Sequence, residues 1–166
     1  EANGHKVVFR SGDIKNMYTE LPHDVILEAV DWVIDNALAA RRTRTSFLSV
    51  RRRGRRGVNF GANSCPSQMV QLDFQTIKDI VKYDLENCIF TVGDFRLRQH
   101  VGIPMGSPLS PVLAIILCAF FESRFLNSFP KTSRVLIRGW RYVDDVFMAM
   151  PDKALGSDLP IDIDSV

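Results

Sequence analysis

The sequence predicts an α+β fold, an antiparallel sheet with helices packed on one face. Three observations carry that expectation. Segments with a helical period alternate along the chain with short runs that read as strands and hairpins. No internal repeat is visible. The 166 residues are 46% hydrophobic and 24% charged, enough for one domain, or a piece of one, with a packed core.

The elements follow in order. Residues 6–10 (Lys-Val-Val-Phe-Arg) form a short strand candidate that delivers Asp13. Leu21-Pro22-His23 is a break, and Pro22 suits the opening of a helix. Residues 24–40 place Val25, Ile26, Ala29, Val30, Val33, Ile34 and Ala37 at helical spacing. The Arg- and Gly-rich stretch 41–61 reads as a loop or marginal hairpin, and Ser64-Cys65-Pro66 is another break. Residues 69–83 repeat a helical pattern through Leu72, Ile77, Ile80 and Val81. Residues 88–99, with Gly93-Asp94 at their centre, read as a hairpin. A loop over 102–111 leads to an apolar helix over 111–129 that is expected to be buried, and 135–150 reads as strand, turn, strand. Signals for order fade from Pro151 onward.

Charge is distributed unevenly around a net of +2. Arg41, Arg42, Arg44, Arg51, Arg52, Arg53, Arg55 and Arg56 crowd one segment, while Asp152, Asp158, Asp162 and Asp164 lie in the tail. Cys65, Cys88 and Cys118 are an odd set without CxxC spacing, which argues against a disulfide framework or a zinc site and fits a reducing compartment. No secretory signal is visible. The apolar run 112–121 is about half the length of a membrane span, so no membrane partner is expected. The chain opens without Met and close to its first candidate strand, and is expected to be a piece of a longer protein.

Three constellations carry chemistry. The first is Tyr142-Val143-Asp144-Asp145, two adjacent carboxylates inside an apolar, strand-like run. Adjacent like charges repel, so such a pair at a hairpin turn reads as a divalent-metal site beside the other two constellations; read alone, it is sooner an ordinary polar turn. The second is Asp13, which ends a β run and precedes Ile14-Lys15-Asn16-Met17-Tyr18-Thr19. A carboxylate there can hold a cation while the following amides cradle phosphate oxygens, or can serve as a turn or cap residue. The third is Gly102-Ile-Pro-Met-Gly-Ser-Pro-Leu-Ser-Pro111, with two glycines, three prolines and two serines in ten residues. It makes a stiff, shaped loop that another backbone or a base can approach closely. Mg²⁺ prefers oxygen ligands and is commonly held by one or two carboxylates plus substrate phosphates. Asp13 and Asp144 would have to meet on adjacent strands.

In this order the three constellations resemble the polymerase palm of reverse transcriptases. Residues 12–22, Gly-Asp-Ile-Lys-Asn-Met-Tyr-Thr-Glu-Leu-Pro, look like motif A; residues 99–111 look like motif B; Arg141-Tyr142-Val143-Asp144-Asp145 looks like motif C. The Met105-Gly106-Ser107-Pro108-Leu109-Ser110-Pro111 wording is most similar to Penelope-like retroelements, which are related to telomerase. The resemblance implies an RNA-directed DNA polymerase that extends a DNA primer on an RNA template with deoxynucleoside triphosphates and two Mg²⁺ ions, Mn²⁺ being able to replace them. It implies that residues 1–150 are the palm core with an Arg-rich insertion near 41–57, and that 151–166 are a tail ending before a thumb. An intracellular, nuclear location is implied by the family alone.

The resemblance also implies roles residue by residue. Asp13, Asp144 and Asp145 would be the catalytic acids, and these three with the Ile14 carbonyl would bind the metals. The amides of Lys15, Asn16, Met17 and Tyr18 would face the triphosphate. Tyr18 would crowd a 2′-hydroxyl, and is otherwise a core aromatic on a first helical turn. Met105, Gly106 and Ser107 would shape the pocket beside the incoming nucleotide. Arg51, Arg52, Arg53, Arg55 and Arg56 would contact nucleic-acid phosphates, or are a solvated insertion. Trp140 and Tyr142 line a primer grip or belong to the core.

The chain departs from the family in places. Met105 stands where many reverse transcriptases carry Gln, and a thioether cannot hydrogen-bond like an amide. The basic fingers residues that precede motif A are absent, and Lys153 has no assignment. Two alternatives remain: an RNA-dependent RNA polymerase palm, and a degenerate copy that binds nucleic acid without catalysis. The first usually has a second Asp where this chain has Tyr18 and a Gly where it has Val143.

Overall fold

The computed structural model describes residues 6–53, 57–61 and 66–151. Arg55, Arg56, Cys65, Lys153 and the acidic tail lie outside the described residues. The elements run β1 (Val7–Asp13), α1 (His23–Arg41), β2 (Phe47–Arg51), β3 (Val58–Phe60), β4 (Met69–Asp73), α2 (Phe74–Glu86), β5 (Ile89–Val92), β6 (Phe95–Arg98), α3 (Ser110–Asn127), α4 (Lys131–Arg134), β7 (Arg138–Tyr142) and β8 (Asp145–Pro151). The fold is α+β with antiparallel pairing throughout the described strands. The pairing is shared among three small sheets, β1-β8-β7, β3-β2-β4 and β5-β6, where one sheet was expected.

The chain divides into two compact units, one from Glu1–Met17 with Phe121–Val166, the other Tyr18–Phe120. In the first, β8 is the central strand, and alternation gives it two different faces. Met150 is buried with Phe129 and Ile137, and Phe125, Leu126 and Met148 pack against them. The Phe125 and Phe129 rings meet edge to face at 5.0 Å, a favoured aromatic geometry. The strand expected from residue 135 starts only at Arg138. The amides of Leu136 and Ile137 instead donate back to the carbonyls of Ser133 and Arg134 after α4.

In the second unit, α1 buries Ile26, Ala29 and Val30, the stripe that its period predicts. It stops where Arg42 turns left-handed, and the amides of Arg42 and Thr43 satisfy the last carbonyls at Ala39 and Leu38. Residues 69–73, expected to be helical, are strand β4, paired with β2 from Arg51↔Met69 to Phe47↔Asp73. The helix begins at Phe74 because Asp73 caps it, accepting from the Thr76 amide at 2.6 Å.

The apolar helix is α3, buried at Leu113, Ala114, Leu117, Cys118 and Phe120 but exposed at Val112, Ile115 and Phe121. Its burial is therefore confined to one face. By length and composition alone its 18 residues could cross a membrane, a test that core helices of soluble proteins also pass.

Candidate functional site

The register of β1 against β8 places Asp13 directly opposite Asp145. Directly opposed residues of an antiparallel pair have Cβ atoms about 4.5–5.5 Å apart. Asp144 lies in the two-residue turn that joins β7 to β8, and its carbonyl accepts the Ile14 amide at 3.0 Å. The strand pairing thus brings all three acids to one end of the sheet. They are solvent-exposed, and like charges in this position destabilise the pair unless a cation offsets them. Among the described residues no group of three or more His, Cys, Asp or Glu side chains is placed to hold a metal. The two opposed carboxylates form a smaller donor set, one that suits a hard cation completing its shell with water and phosphate oxygens.

The turn itself is strained. Val143 has φ 55°, a left-handed conformation that a β-branched residue rarely adopts and that costs roughly 1–3 kcal/mol. A two-residue hairpin loop asks for Gly or Asn at such a position.

The acids share their sheet face with aromatic rings. Tyr142 is opposite Asp145, and Phe147 is opposite both Ser11 and Trp140. Phe147 stands 5.9 Å, centroid to centroid, from Phe9 on one side and from Trp140 on the other. Trp140 is 60% exposed and Tyr142 80%, so neither is a core residue. A trough of about 390 Å³ runs beside Asp145, lined by Ser11, Gly12, Trp140, Tyr142 and Phe147. Sequence reasoning missed Phe9 and Phe147, although strand alternation from Asp145 already puts Phe147 on the acidic face.

The other unit holds Tyr18 and the loop before α3. Residues 15–19 form a turn rather than the first turn of a helix, which starts only at His23. Tyr18, half-buried, therefore stands in a turn and not on a first helical turn. Met17 is buried, and its side chain is a packing group. The loop is tied at both ends. At its start, Gly102 N–H donates to Leu21 O and Ile103 N–H to Tyr18 O, both at 2.7 Å, while His23 Nε2 lies 3.0 Å from Gly102 O. At its end, Ser107 Oγ donates to Asp84 Oδ2 at 2.7 Å and accepts from the Leu109 amide at 3.1 Å. Ser110 Oγ donates to the Pro104 carbonyl. Between these anchors Met105 is 73% exposed and Gly106 is also exposed. His23 and Asp84 were not singled out from sequence, because their partners lie far along the chain.

Of the basic run, Arg51, Arg52 and Arg53 are exposed at and just after the end of β2. Arg41 is differently placed, its guanidinium carbon 4.3 Å from the centre of the Phe60 ring, a cation–π contact.

No family model and no curated protein sequence matches this chain. Solved structures do. Telomerase from Candida albicans, in complex with the TWJ fragment of telomeric RNA, matches 89% of this chain with TM-score 0.66 and 17% identity, over 23% of that chain. Apo telomerase from Candida tropicalis matches 87% with TM-score 0.64 and 15% identity, again over 23% of its length. The chain thus spans less than a quarter of either of these telomerases. The likeness is one of fold: over most of its length this chain is built like a stretch of telomerase, a reverse transcriptase.

Proposed function

We propose that the chain is the palm of an RNA-directed DNA polymerase from a retroelement of the Penelope-like type. The observation that carries the reading is the register that opposes Asp13 to Asp145, with Asp144 in the adjoining turn. The reaction is attack of a primer 3′-hydroxyl on the α-phosphate of a deoxynucleoside triphosphate, with pyrophosphate leaving. Asp13, Asp144, Asp145 and the Ile14 carbonyl would hold two Mg²⁺ ions, or Mn²⁺ in their place. When bound, the ions would supply charge neutralisation for the transfer. The rest falls to the protein as positioning. The amides of Lys15, Asn16, Met17 and Tyr18 face the triphosphate, and the Tyr18 ring crowds a 2′-hydroxyl. Met105 and Gly106, exposed between the two anchors of their loop, border the nucleotide. Ser107 shapes that border through its bond to Asp84. Arg51, Arg52 and Arg53 are exposed and free to approach phosphates of the RNA template or DNA primer. Work on chromosomal DNA would place the protein in the nucleus.

Val143 bears on the choice among polymerases. Its left-handed backbone would be relaxed by Gly, the residue RNA-dependent RNA polymerases usually carry there, so this chain keeps a strained turn that such a polymerase avoids.

The test is primer extension on an RNA template with Mg²⁺ and deoxynucleotides, using the longest natural protein that contains this chain. Asp13→Ala and Asp144→Ala should each lower extension on the order of 10³-fold with an unchanged circular-dichroism spectrum. Retained extension in either folded variant removes that acid from the site. A folded wild type that extends nothing, yet binds RNA with steep salt dependence and indifference to Mg²⁺, is a nucleic-acid-binding copy instead.

A further inference from the structure

We infer that His23 is a positioning residue for sugar discrimination, acting through a backbone clamp on Tyr18; this rests on the reading of Tyr18 as the group that meets the 2′ position. The clamp consists of three hydrogen bonds between segments some eighty residues apart, all within one compact unit. Gly102 uses both of its backbone groups in it, its N–H on Leu21 O and its carbonyl on His23. The next amide, Ile103 N–H, takes the Tyr18 carbonyl at 2.7 Å. Ile103 is 0% exposed, so the residue that holds Tyr18 is itself fixed by packing.

The approach is close enough to require glycine. Gly102 has φ +86°, and a methyl group there would overlap the Tyr18 carbonyl oxygen and lie 2.9 Å from Thr19 Cα. The backbone of Tyr18 therefore cannot slide toward the loop, and the Ile103 hydrogen bond stops it moving away. A steric filter works only if its ring is held to a fraction of an ångström, since repulsion rises steeply with overlap. His23 completes the arrangement by holding the Gly102 carbonyl. A carbonyl oxygen only accepts, so Nε2 carries the proton. The helix N-terminus gives His23 a fixed base, as it is the first residue of α1.

The geometry makes a specific demand on the side chain. An amide N–H on a chain of Gln length can reach the same carbonyl, whereas Ala leaves that carbonyl, in a buried glycine, without its donor. His23→Gln should therefore keep what His23→Ala loses.

The experiment compares wild type, Tyr18→Ala, His23→Ala and His23→Gln in the longest natural protein that contains this chain. It reads the ratio of kcat/KM for a deoxynucleotide to that for the matching ribonucleotide, and the hydrogen-exchange rate of the Ile103 amide. The expected result is a ratio about 5-fold lower in His23→Ala, the scale of one neutral hydrogen bond. Ile103 exchange should be correspondingly faster, with both returned by His23→Gln. General destabilisation would lower use of both nucleotides alike and leave the ratio unmoved. An unchanged ratio in His23→Ala, beside a collapsed one in Tyr18→Ala, overturns the inference. So does an unchanged Ile103 exchange rate. If the wild type extends no primer, the polymerase reading falls and takes the sugar role with it. The exchange data then still show whether the clamp exists, so the two failures read differently.

Discussion

Gly102 and Gly106 stand four residues apart in one loop, both with positive φ, yet the structure asks different things of them. At Gly102 a side chain would meet the backbone of Tyr18 and Thr19, which cannot rotate away. At Gly106 nothing lies within reach of an added methyl, so only the backbone conformation resists it. Gly102→Ala should therefore cost about 3 kcal/mol, overpacking added to left-handed strain. Gly106→Ala should cost about 1 kcal/mol, the strain alone. Urea denaturation checks this as two different losses of midpoint at an unchanged slope. Equal losses would mean that the close approach at Gly102 is not what holds the loop. The loop announced itself in the sequence by its density of Gly, Pro and Ser. Which glycine faces another backbone was not legible, because that depends on Leu21 and Tyr18 arriving from far along the chain.

At the scale of elements, the boundary between β4 and α2 rests on one carboxylate. Asp73 accepts from the Thr76 amide at 2.6 Å and from its hydroxyl at 2.9 Å. The Thr76 amide first, and its hydroxyl second, hold the Asp73 carboxyl below its ordinary pKa. A depressed carboxylate pKa stabilises the fold above the unfolded value, about 3.9, and the contribution is lost as pH falls through the folded value. Asp73→Ala should lower the Tm at pH 7, and the gap from wild type should narrow as pH falls below about 4. A gap of constant size would show that the cap acts through shape rather than charge. The same boundary marks what local sequence could and could not reveal. Met69 and Leu72 fit a helical period as well as a strand, and the partner that decides, β2, lies some twenty residues earlier. The β5-β6 hairpin was legible because Gly93-Asp94 carries its turn in the local sequence. Strand β1 was legible in type, and it runs to Asp13 itself.

At the scale of the whole molecule, the acids depend on strands from opposite ends of the chain. Val7 pairs with Pro151 and Asp13 with Asp145, so the unit that holds them closes only after everything between has been made. Motif order in the sequence pointed to the three acids, but not to their register, because pairing across such a separation leaves no local trace. Nor did the sequence show that residues 18–120 form a compact unit of their own. A continuous unit and a discontinuous one are expected to lose protection separately. Deleting residues 1–13 removes β1 and turns β8 from a central strand into an edge. Amides of β8 should then exchange at least about tenfold faster, as their open state costs less, while those of β2 and α2 keep their native rates. Hydrogen exchange followed by mass spectrometry resolves the two sets. If β2 and α2 lose protection in step with β8, the two units unfold as one. If only β8 responds, the strands that carry the acids can part while the loop and its clamp on Tyr18 stay formed, and the two units answer to mutation independently.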